Sequence, residues 1–479
     1  MKLYKALTTR EGARILSVYN SSLGIIRIKE IMKRIKETGG RVHICGVLGA
    51  GQRGIAELLL REGVRVSGSD AGASREEGEL VALGLEFYSS HERENVTGAA
   101  LLIYTLAISD DNPEYAAAKE NGIPTVSRAE FWAYLSSGAE ECITVAGSHG
   151  KSTVTAMIAH IFSKSEKSAS VLSGSKLYGG GHSRLGDGKT FVLEACEYKD
   201  SFLKFSPSIA IINNIELDHT DYFKSLDALK SSFVKYASAA KKFVLLNTDD
   251  FGARSIKDRI SARVLTFGTS PDAFYRISNI AVGATEYVFT LSREGESLGE
   301  FCLKIPGIFN VQNAAAAIAA AYECGVSVDT ARSAIADFGG IERRLEYIGE
   351  YKSRPVFYDY AHHPTEIYAG IAALRAMGAE VLTVVFKSHT YSRTADLWDG
   401  FVRSLSFADY VVVGDVFAAR EKNERGVSAA GLAAQIGERA VYSSDEDVPS
   451  ALDRSTRGTV VLMGAADMTD IISRMKIKK

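Results

Sequence analysis

The sequence predicts an α/β protein of three domains, the first two opening on nucleotide-binding units. Three observations carry this expectation. The 479 residues amount to about three domains at roughly 150 residues each. Apolar strand-like runs alternate with helical patterns along most of the chain, as in layered α/β folds. A strand that enters a glycine turn and then a helix occurs twice, at Val42–Gly54 and at Glu141–Thr153, and each is the opening of a nucleotide-binding unit.

In the first opening, the strand Val42–Val47 meets the turn Gly46–Gly54, the helical pattern Ile55–Leu60 and a second strand, Val64–Gly68, ending at Ser69-Asp70. Alternation continues through the strand Leu101–Thr105 and the turn Asp110–Pro113 to about residue 137. A fresh strand, Glu141–Ala146, then runs into Gly147-Ser148-His149-Gly150-Lys151-Ser152-Thr153 and a helix. Strands recur at Thr190–Leu193, Ile209–Ile212 and Phe243–Leu246, whereas 262–305 alternates in short runs with turns and predicts antiparallel sheet. The alanine-rich Asn313–Tyr322 predicts a buried helix, and a last α/β block carries strands at Val356–Tyr360, Val381–Phe386, Tyr410–Val413 and Val460–Met463. The expected domains are 38–137, 138–340 and 341–479.

With 56 Lys plus Arg against 58 Asp plus Glu, the net charge of -2 excludes a basic nucleic-acid coat and a polyanionic tail. Hydrophobic residues at 46% and charged residues at 24% are near the soluble globular average. Five scattered cysteines without a C-x-x-C pair fit reduced thiols in a cytoplasm. No apolar run reaches the roughly 18 residues of a membrane span. The first 37 residues interleave Arg27, Lys29, Glu30, Lys33, Arg34 and Lys36 with apolar positions and lack a signal-peptide core; they are either a leading helix or a start-site artefact.

Gly147-x-x-Gly150-Lys151-Ser152 is shorter than the eight-residue Walker A pattern, but a strand leads in and a helix leads out. Glycines let backbone N–H groups turn onto phosphate oxygens at the helix N-terminus. Lys151 then reaches the β- and γ-phosphates of ATP, and the Ser152 hydroxyl is placed to ligate Mg²⁺. His149 either takes part or only shapes the turn. In the first turn Gly49, Gly51 and Gly54 keep G-x-G-x-x-G spacing, and Asp70 lies 16 residues beyond Gly54, near where a ribose-binding acid is expected. A dinucleotide cofactor is one of several explanations for that turn, and a NAD-dependent oxidoreductase would leave the second loop unexplained.

Together with Gly46–Gly54 and Gly147–Thr153, six further segments in order resemble the Mur ligase family of peptidoglycan synthesis. They are Glu194-Ala195-Cys196-Glu197 with Asp200-Ser201-Phe202, Asn214–His219, Asn310–Asn313, Arg343-Arg344, Asp359–Glu366 and His389–Thr394. The string Tyr360-Ala361-His362-His363-Pro364-Thr365-Glu366 resembles the alanine-adding branch. The resemblance implies that the first domain, Rossmann-like, holds a UDP-sugar through Gly49, Gly51, Gly54 and Asp70, that the second, P-loop ATPase-type, binds ATP, and that the third, Rossmann-like again, brings the amino acid. It implies ATP-dependent joining of L-alanine to UDP-N-acetylmuramate through an acyl phosphate, in a protein acting as a monomer or weak homodimer without nucleic-acid or membrane partners.

By the same resemblance Lys151, Glu194, His219 and Arg344 are catalytic, with Ser152, Glu194 and His219 holding metal. A carboxylate suits Mg²⁺; imidazole is an unusual ligand for it, and on chemistry alone His219 is a structural histidine. Gly147–Thr153, Asn310, Asn313, Arg344 and Asp359 are implied in ATP binding, although Asn310 at a helix start is equally placed for an N-cap. Tyr360, His389 and Arg393 are implied to hold alanine, whose carboxylate needs a fixed cation.

The chain departs from the family pattern at Leu48, Arg53, Phe309, Tyr358, Thr390 and Ala466. Arg53 either pairs with the UDP pyrophosphate or blocks it. Thr390 stands where an arginine is frequent. Some related ligases carry a carbamylated lysine downstream of the metal histidine; Lys224 and Lys230 lie there, and neither matches it. Two other readings remain: a recycling ligase that adds a murein peptide to the same sugar, and a degenerate nucleotide-binding relative.

Overall fold

The computed structural model describes residues 10–71, 75–109, 111–283, 286–419, 421–454 and 458–478. Residues 1–9 of the expected leading segment and Asp110 of the expected turn lie outside them. Arg10–Thr38 is a helix, in agreement with the leading-helix reading. No helix among the described residues is long and apolar enough to cross a membrane.

The N-terminal sheet contains β1 (Arg41–Cys45), β2 (Arg65–Ser69), β3 (Glu86–Tyr88), β4 (Ala99–Tyr104) and β5 (Thr125–Ser127) in the order β3-β2-β1-β4-β5, all parallel. The strand order reverses between β1 and β4, which opens a crevice at their carboxyl ends. The apolar runs in β1 and β4 are continuous because helices cover both faces.

The central sheet has ten strands: β6 (Glu141–Ala146), β7 (Ala169–Leu172), β8 (Ser183–Arg184), β9 (Thr190–Glu194), β10 (Ile209–Ile212), β11 (Phe243–Asn247), β12 (Val264–Gly268), β13 (Tyr275–Val282), β14 (Tyr287–Arg293) and β15 (Glu296–Leu303). Their order is β15-β14-β13-β12-β11-β10-β6-β9-β7-β8. One expectation needs correcting: β12 lies inside 262–305 yet pairs parallel with β11 and with β13, and antiparallel pairing starts only between β13 and β14. The reason is that β12 fills an apolar slot at the edge of the parallel core, with Leu265 and Phe267 buried, before the hairpins extend the sheet. Ala314–Ala321 of the helix Phe309–Glu323 are buried against the helix Lys151–Ser163 over this sheet. Small side chains let the two helix backbones approach.

The C-terminal sheet contains β16 (Glu346–Tyr351), β17 (Arg354–Asp359), β18 (Leu382–Phe386), β19 (Tyr410–Val413), β20 (Ala440–Tyr442) and β21 (Thr459–Met463) in the order β16-β17-β21-β18-β19-β20. Only β16 pairs antiparallel. Asp359 ends β17, so it points from a strand end toward the central sheet, where ligands of open α/β sheets bind.

Candidate functional site

The phosphate loop joins β6 to the helix Lys151–Ser163, with Gly150 as its N-cap at φ 81°. A Cβ at Gly150 would lie 2.7 Å from Asn313 Oδ1, so this position requires glycine for both conformation and space. The loop is strapped to the segment after β10: Ser148 Oγ donates to Glu216 O (2.8 Å) and His149 N donates to Asn214 Oδ1 (2.7 Å). Lys151 Nζ donates to Gly147 O (2.6 Å) and to both Glu197 oxygens (3.2 and 3.1 Å). Burial opposes the lysine charge, but Glu197 outweighs it and the pKa rises to about 12.

Two cavities flank the loop. One, of about 150 Å³, is lined by Thr153, Asn213, Phe267, Asn313, Arg344 and Asp359 among others. It has aromatic and amide walls suited to a purine. Asn213 Oδ1 is buried there with no hydrogen-bond partner in the structure, an acceptor that a ligand donor can satisfy. Asn310 is corrected from one of its two readings: the N-cap is Ile308, and Asn310 lies within the helix. Its Nδ2 donates to Pro306 O (2.6 Å) and its Oδ1 accepts from Asn313 Nδ2 (2.9 Å). The pair is thus locked by local bonds beside the cavity.

The second cavity, of about 390 Å³, lies where the three sheets meet and includes Arg53, Ser152, Lys176, Glu194, Arg344 and Tyr360 in its lining. Its cations suit a meeting place for anions. Glu194, at the end of β9, receives Ser173 Oγ and Gly174 N, both at 2.8 Å and both on Oε1. A Cβ on Gly174 would lie 3.0 Å from Oε2, so the glycine leaves room beside that oxygen. Ser152 and Glu194 therefore offer two hard oxygens to one cavity, which fits Mg²⁺. His219 does not line it. It adopts φ 53°, its ring stands 4.7 Å from that of Tyr198, and its Nε2 lies 3.6 Å from Glu197 Oε1. Glu197 thus stands between Lys151 and His219.

From the C-terminal sheet, Asp359 accepts from Ala361 N (2.7 Å) and Leu345 N (3.1 Å). Burial, reinforced by Glu366, pushes its pKa up to about 7 against the opposing Arg344. Arg344 Nη1 lies 3.6 Å from Glu366 Oε1, and its guanidinium sits 5.2 Å from the Tyr360 ring centre. The Tyr360 ring thus lies under both Arg343 and Arg344. His389 and Arg393 are neighbours, with Nδ1 and Nη1 3.4 Å apart, and Arg393 Nη2 donates to Asp218 Oδ1 at 2.9 Å. Burial and the Arg393 charge lower His389 to about 4, so its ring is neutral at pH 7. Thr390 caps the helix Tyr391–Asp396 that carries Arg393, at φ 64°.

In the N-terminal turn, Gly49 is the N-cap of the helix Ala50–Arg61, and Asp70 Oδ2 accepts from Leu48 N at 2.9 Å. Gly51 admits Arg128, whose Nη1 would clash with a Cβ, and Gly54 admits His182 O at 3.1 Å. Arg53 is buried; its Nη2 donates to Leu48 O (3.0 Å) and its Nη1 stands 3.2 Å from His182 Nε2 of the central unit. Phe309 packs on the C-terminal core, Tyr358 stacks under Arg343, and Ala466 O accepts from Arg343 Nη2. Lys224 is spent on Thr220 O and Asp221 O, and Lys230 lies over the Phe251 ring.

Glu197, Glu216, Asp218 and Glu366 join the site without having been expected there. The sequence carries a signal for three of them: Glu197 follows Glu194 by three residues, Asp218 precedes His219, and Glu366 ends the Tyr360–Glu366 string.

Three family models match the chain: Mur ligase family, catalytic domain, over 41–139; Mur ligase middle domain, over 145–321; and Mur ligase, glutamate ligase domain, over 343–466. The chain is 39% identical over 447 residues to the UDP-N-acetylmuramate–L-alanine ligase of Alkaliphilus metalliredigens, covering 91% of this chain and 97% of that one. It is similar to the solved UDP-N-acetylmuramate–alanine ligase of Thermotoga maritima, with 27% identity, a TM-score of 0.77 and coverage of 91% and 98%. A murein peptide ligase of Psychrobacter arcticus shares the fold, at 23% identity, a TM-score of 0.70 and the same coverage.

Proposed function

The chain belongs to the Mur ligase family, and from that premise we propose the reaction its site supports best: ATP-dependent ligation of L-alanine to UDP-N-acetylmuramate in peptidoglycan precursor synthesis. The enzyme is an amide-forming ligase that consumes ATP. The observation that carries the reading is the contact of Arg393 with Asp218 (2.9 Å), which sets the His389–Arg393 turn of the C-terminal unit against the residue before His219. An amino-acid carboxylate held at Arg393 then lies at the seam facing the phosphate loop.

The chemistry joins two anions, a lactyl carboxylate and the γ-phosphate, and cations must screen them. Arg344 supplies that charge from the lining of the cavity bearing Ser152 and Glu194, and Lys151, one residue before Ser152 in the loop, supplies a second cation. Attack of the carboxylate on the γ-phosphate gives an acyl phosphate; the alanine amine then attacks its carbonyl carbon and phosphate leaves. Asn310, Asn313 and Asp359 flank the purine cavity, with Gly147–Thr153 on the phosphates. Ser152 and Glu194 would hold Mg²⁺, which supplies charge neutralisation on the phosphates, and His219, reached through Glu197, is assigned to a second ion. Tyr360, His389 and Arg393 are assigned to alanine, and Gly49, Gly51, Gly54 and Asp70 to the UDP-sugar, with Arg53 pairing toward it. In this reading 38–137 binds the sugar nucleotide, 138–340 ATP and 341–479 the amino acid, in a cytoplasmic monomer or weak homodimer.

The test is ATP-dependent phosphate release with UDP-N-acetylmuramate and Mg²⁺, comparing L-alanine, glycine, L-serine and a murein tripeptide. Stimulation chiefly by L-alanine is expected. Stimulation by the tripeptide alone would make the chain a recycling ligase, and silence with every acceptor despite ATP binding would make it a degenerate relative.

A further inference from the structure

Away from the phosphate loop, the N-terminal sheet buries a carboxylate that the ligation does not use. Glu114 lies in the first turn of the helix Pro113–Glu120 and its side chain is 0% exposed. A buried carboxylate is costly unless it is fully partnered. Oε1 receives Asn95 Nδ2 (2.7 Å) and faces His43 Nε2 (3.2 Å), while Oε2 receives Ser69 Oγ (2.6 Å) and faces His91 Nδ1 (3.0 Å).

The crowding is around His91 Nδ1. Glu114 Oε2 and Ser69 Oγ both lie 3.0 Å from it, and Cys45 Sγ lies at 3.7 Å. One ring N–H serves one acceptor well, not three. The arrangement is that of ligands around an ion: sulfur, nitrogen and oxygen atoms of Cys45, His91 and Glu114 all lie within 4.8 Å of one another. Zinc bonds of about 2.3 Å to sulfur and about 2.0–2.1 Å to nitrogen and oxygen put tetrahedral ligand atoms roughly 3.3–3.6 Å apart. The separations of 3.7 and 3.0 Å bracket that range.

We propose that Cys45, His91 and Glu114 form a Zn²⁺ site at the carboxyl edge of the N-terminal sheet, with Ser69 Oγ beside the fourth position. Thiolate and carboxylate together neutralise the ion, so a buried site carries no net charge. On binding, the Cys45 Sγ–H bond breaks and its proton leaves to solvent as the Sγ–Zn bond forms. His91 binds through the Nδ1 lone pair, with its ring proton on Nε2. The thiol gives up only a long contact to Asn112 Oδ1 (3.8 Å), and that oxygen keeps the Glu114 and Tyr115 amides it caps. His91, 20% exposed, provides the way in. Sulfur and imidazole select Zn²⁺ or Co²⁺ over Mg²⁺. The other such group among the described residues, His149, Glu216 and His363, belongs to the seam beside the phosphate loop.

The test uses the metal-stripped full chain titrated with Co²⁺. A near-ultraviolet thiolate-to-cobalt charge-transfer band with tetrahedral visible bands is expected, saturating at about one ion per chain and bleached by Zn²⁺. Cys45→Ser is expected to abolish the band, His91→Ala to weaken Co²⁺ binding at least about tenfold, and Cys196→Ser to leave the band in place. Should Cys45→Ser fail to fold, the melting temperature decides: Zn²⁺ raises it in the wild type and not in His91→Ala. Absence of the band, its survival in Cys45→Ser, or an equal Zn²⁺ stabilisation of His91→Ala would each overturn the site. None of these readouts depends on ligase turnover.

Discussion

His149 Nδ1 stands 3.1 Å from Glu366 Oε1, an ion pair between the phosphate loop of the central unit and the first turn of the helix Pro364–Ala376 on the C-terminal unit. The other ring nitrogen lies 3.0 Å from Glu216 Oε2, and Thr365 Oγ1 donates to Glu216 Oε1 at 2.6 Å. One imidazole therefore fastens two units. Burial opposes its charge, but Glu366 and Glu216 outweigh it and lift His149 to about 10. A raised pKa means that the contribution to docking is fully present below the ordinary histidine value of 6.5 and is lost as pH rises through about 10. The wild type is expected to lose melting temperature between pH 7 and 10 more steeply than His149→Gln. Parallel curves for the two proteins would remove the histidine from the latch.

Lys151→Ala is expected to lower turnover by about 10³-fold or more, the effect of removing a cation assigned to the transferred phosphoryl group. Circular dichroism should report an unchanged fold, because among the described residues the Lys151 ammonium hydrogen-bonds to loop carbonyls and Glu197 and to no core element. Phosphate release at the wild-type rate would refute the loop assignment.

Glu197→Gln removes the charge that Lys151 and His219 share. Turnover is expected to fall about 10- to 100-fold, as for residues that orient a catalytic or metal-binding group. A fall in thermal stability with turnover intact would make Glu197 purely structural.

Arg393→Ala is expected to raise the KM for L-alanine about 10- to 100-fold, since hydrogen bonds to charged groups are worth about 1.5–3 kcal/mol. The KM for ATP should change far less. Equal effects on both would mean that Arg393 serves docking through Asp218 and not alanine.

The fold class was legible because each nucleotide-binding opening is local: strand, glycines and helix follow one another within 13 residues at Val42–Gly54 and at Glu141–Thr153. The parallel pairing of β12 was not legible, since a short alternating strand looks the same on either side of a sheet, and its neighbours β11 and β13 decide the direction. Asn310 looked like a helix cap because its residue type suits one; its amide instead reaches back to Pro306 O within the first turn. Glu216 is a different case. Its partners Ser148, His149 and Thr365 lie 67 residues or more away in the chain, and no local spacing records such a contact.

With alanine held at Arg393 and ATP at the phosphate loop as proposed, the Arg393–Asp218 contact has an energetic corollary for how the substrates sense one another. A pocket assembled from two units exists only in the docked fraction of molecules, so the apparent alanine affinity is the intrinsic one scaled by that fraction. A nucleotide touching Thr153 on one unit and Arg344 and Asp359 on the other draws the population toward docking. ATP and alanine are then positively cooperative without meeting, and by reciprocity alanine tightens ATP by the same factor.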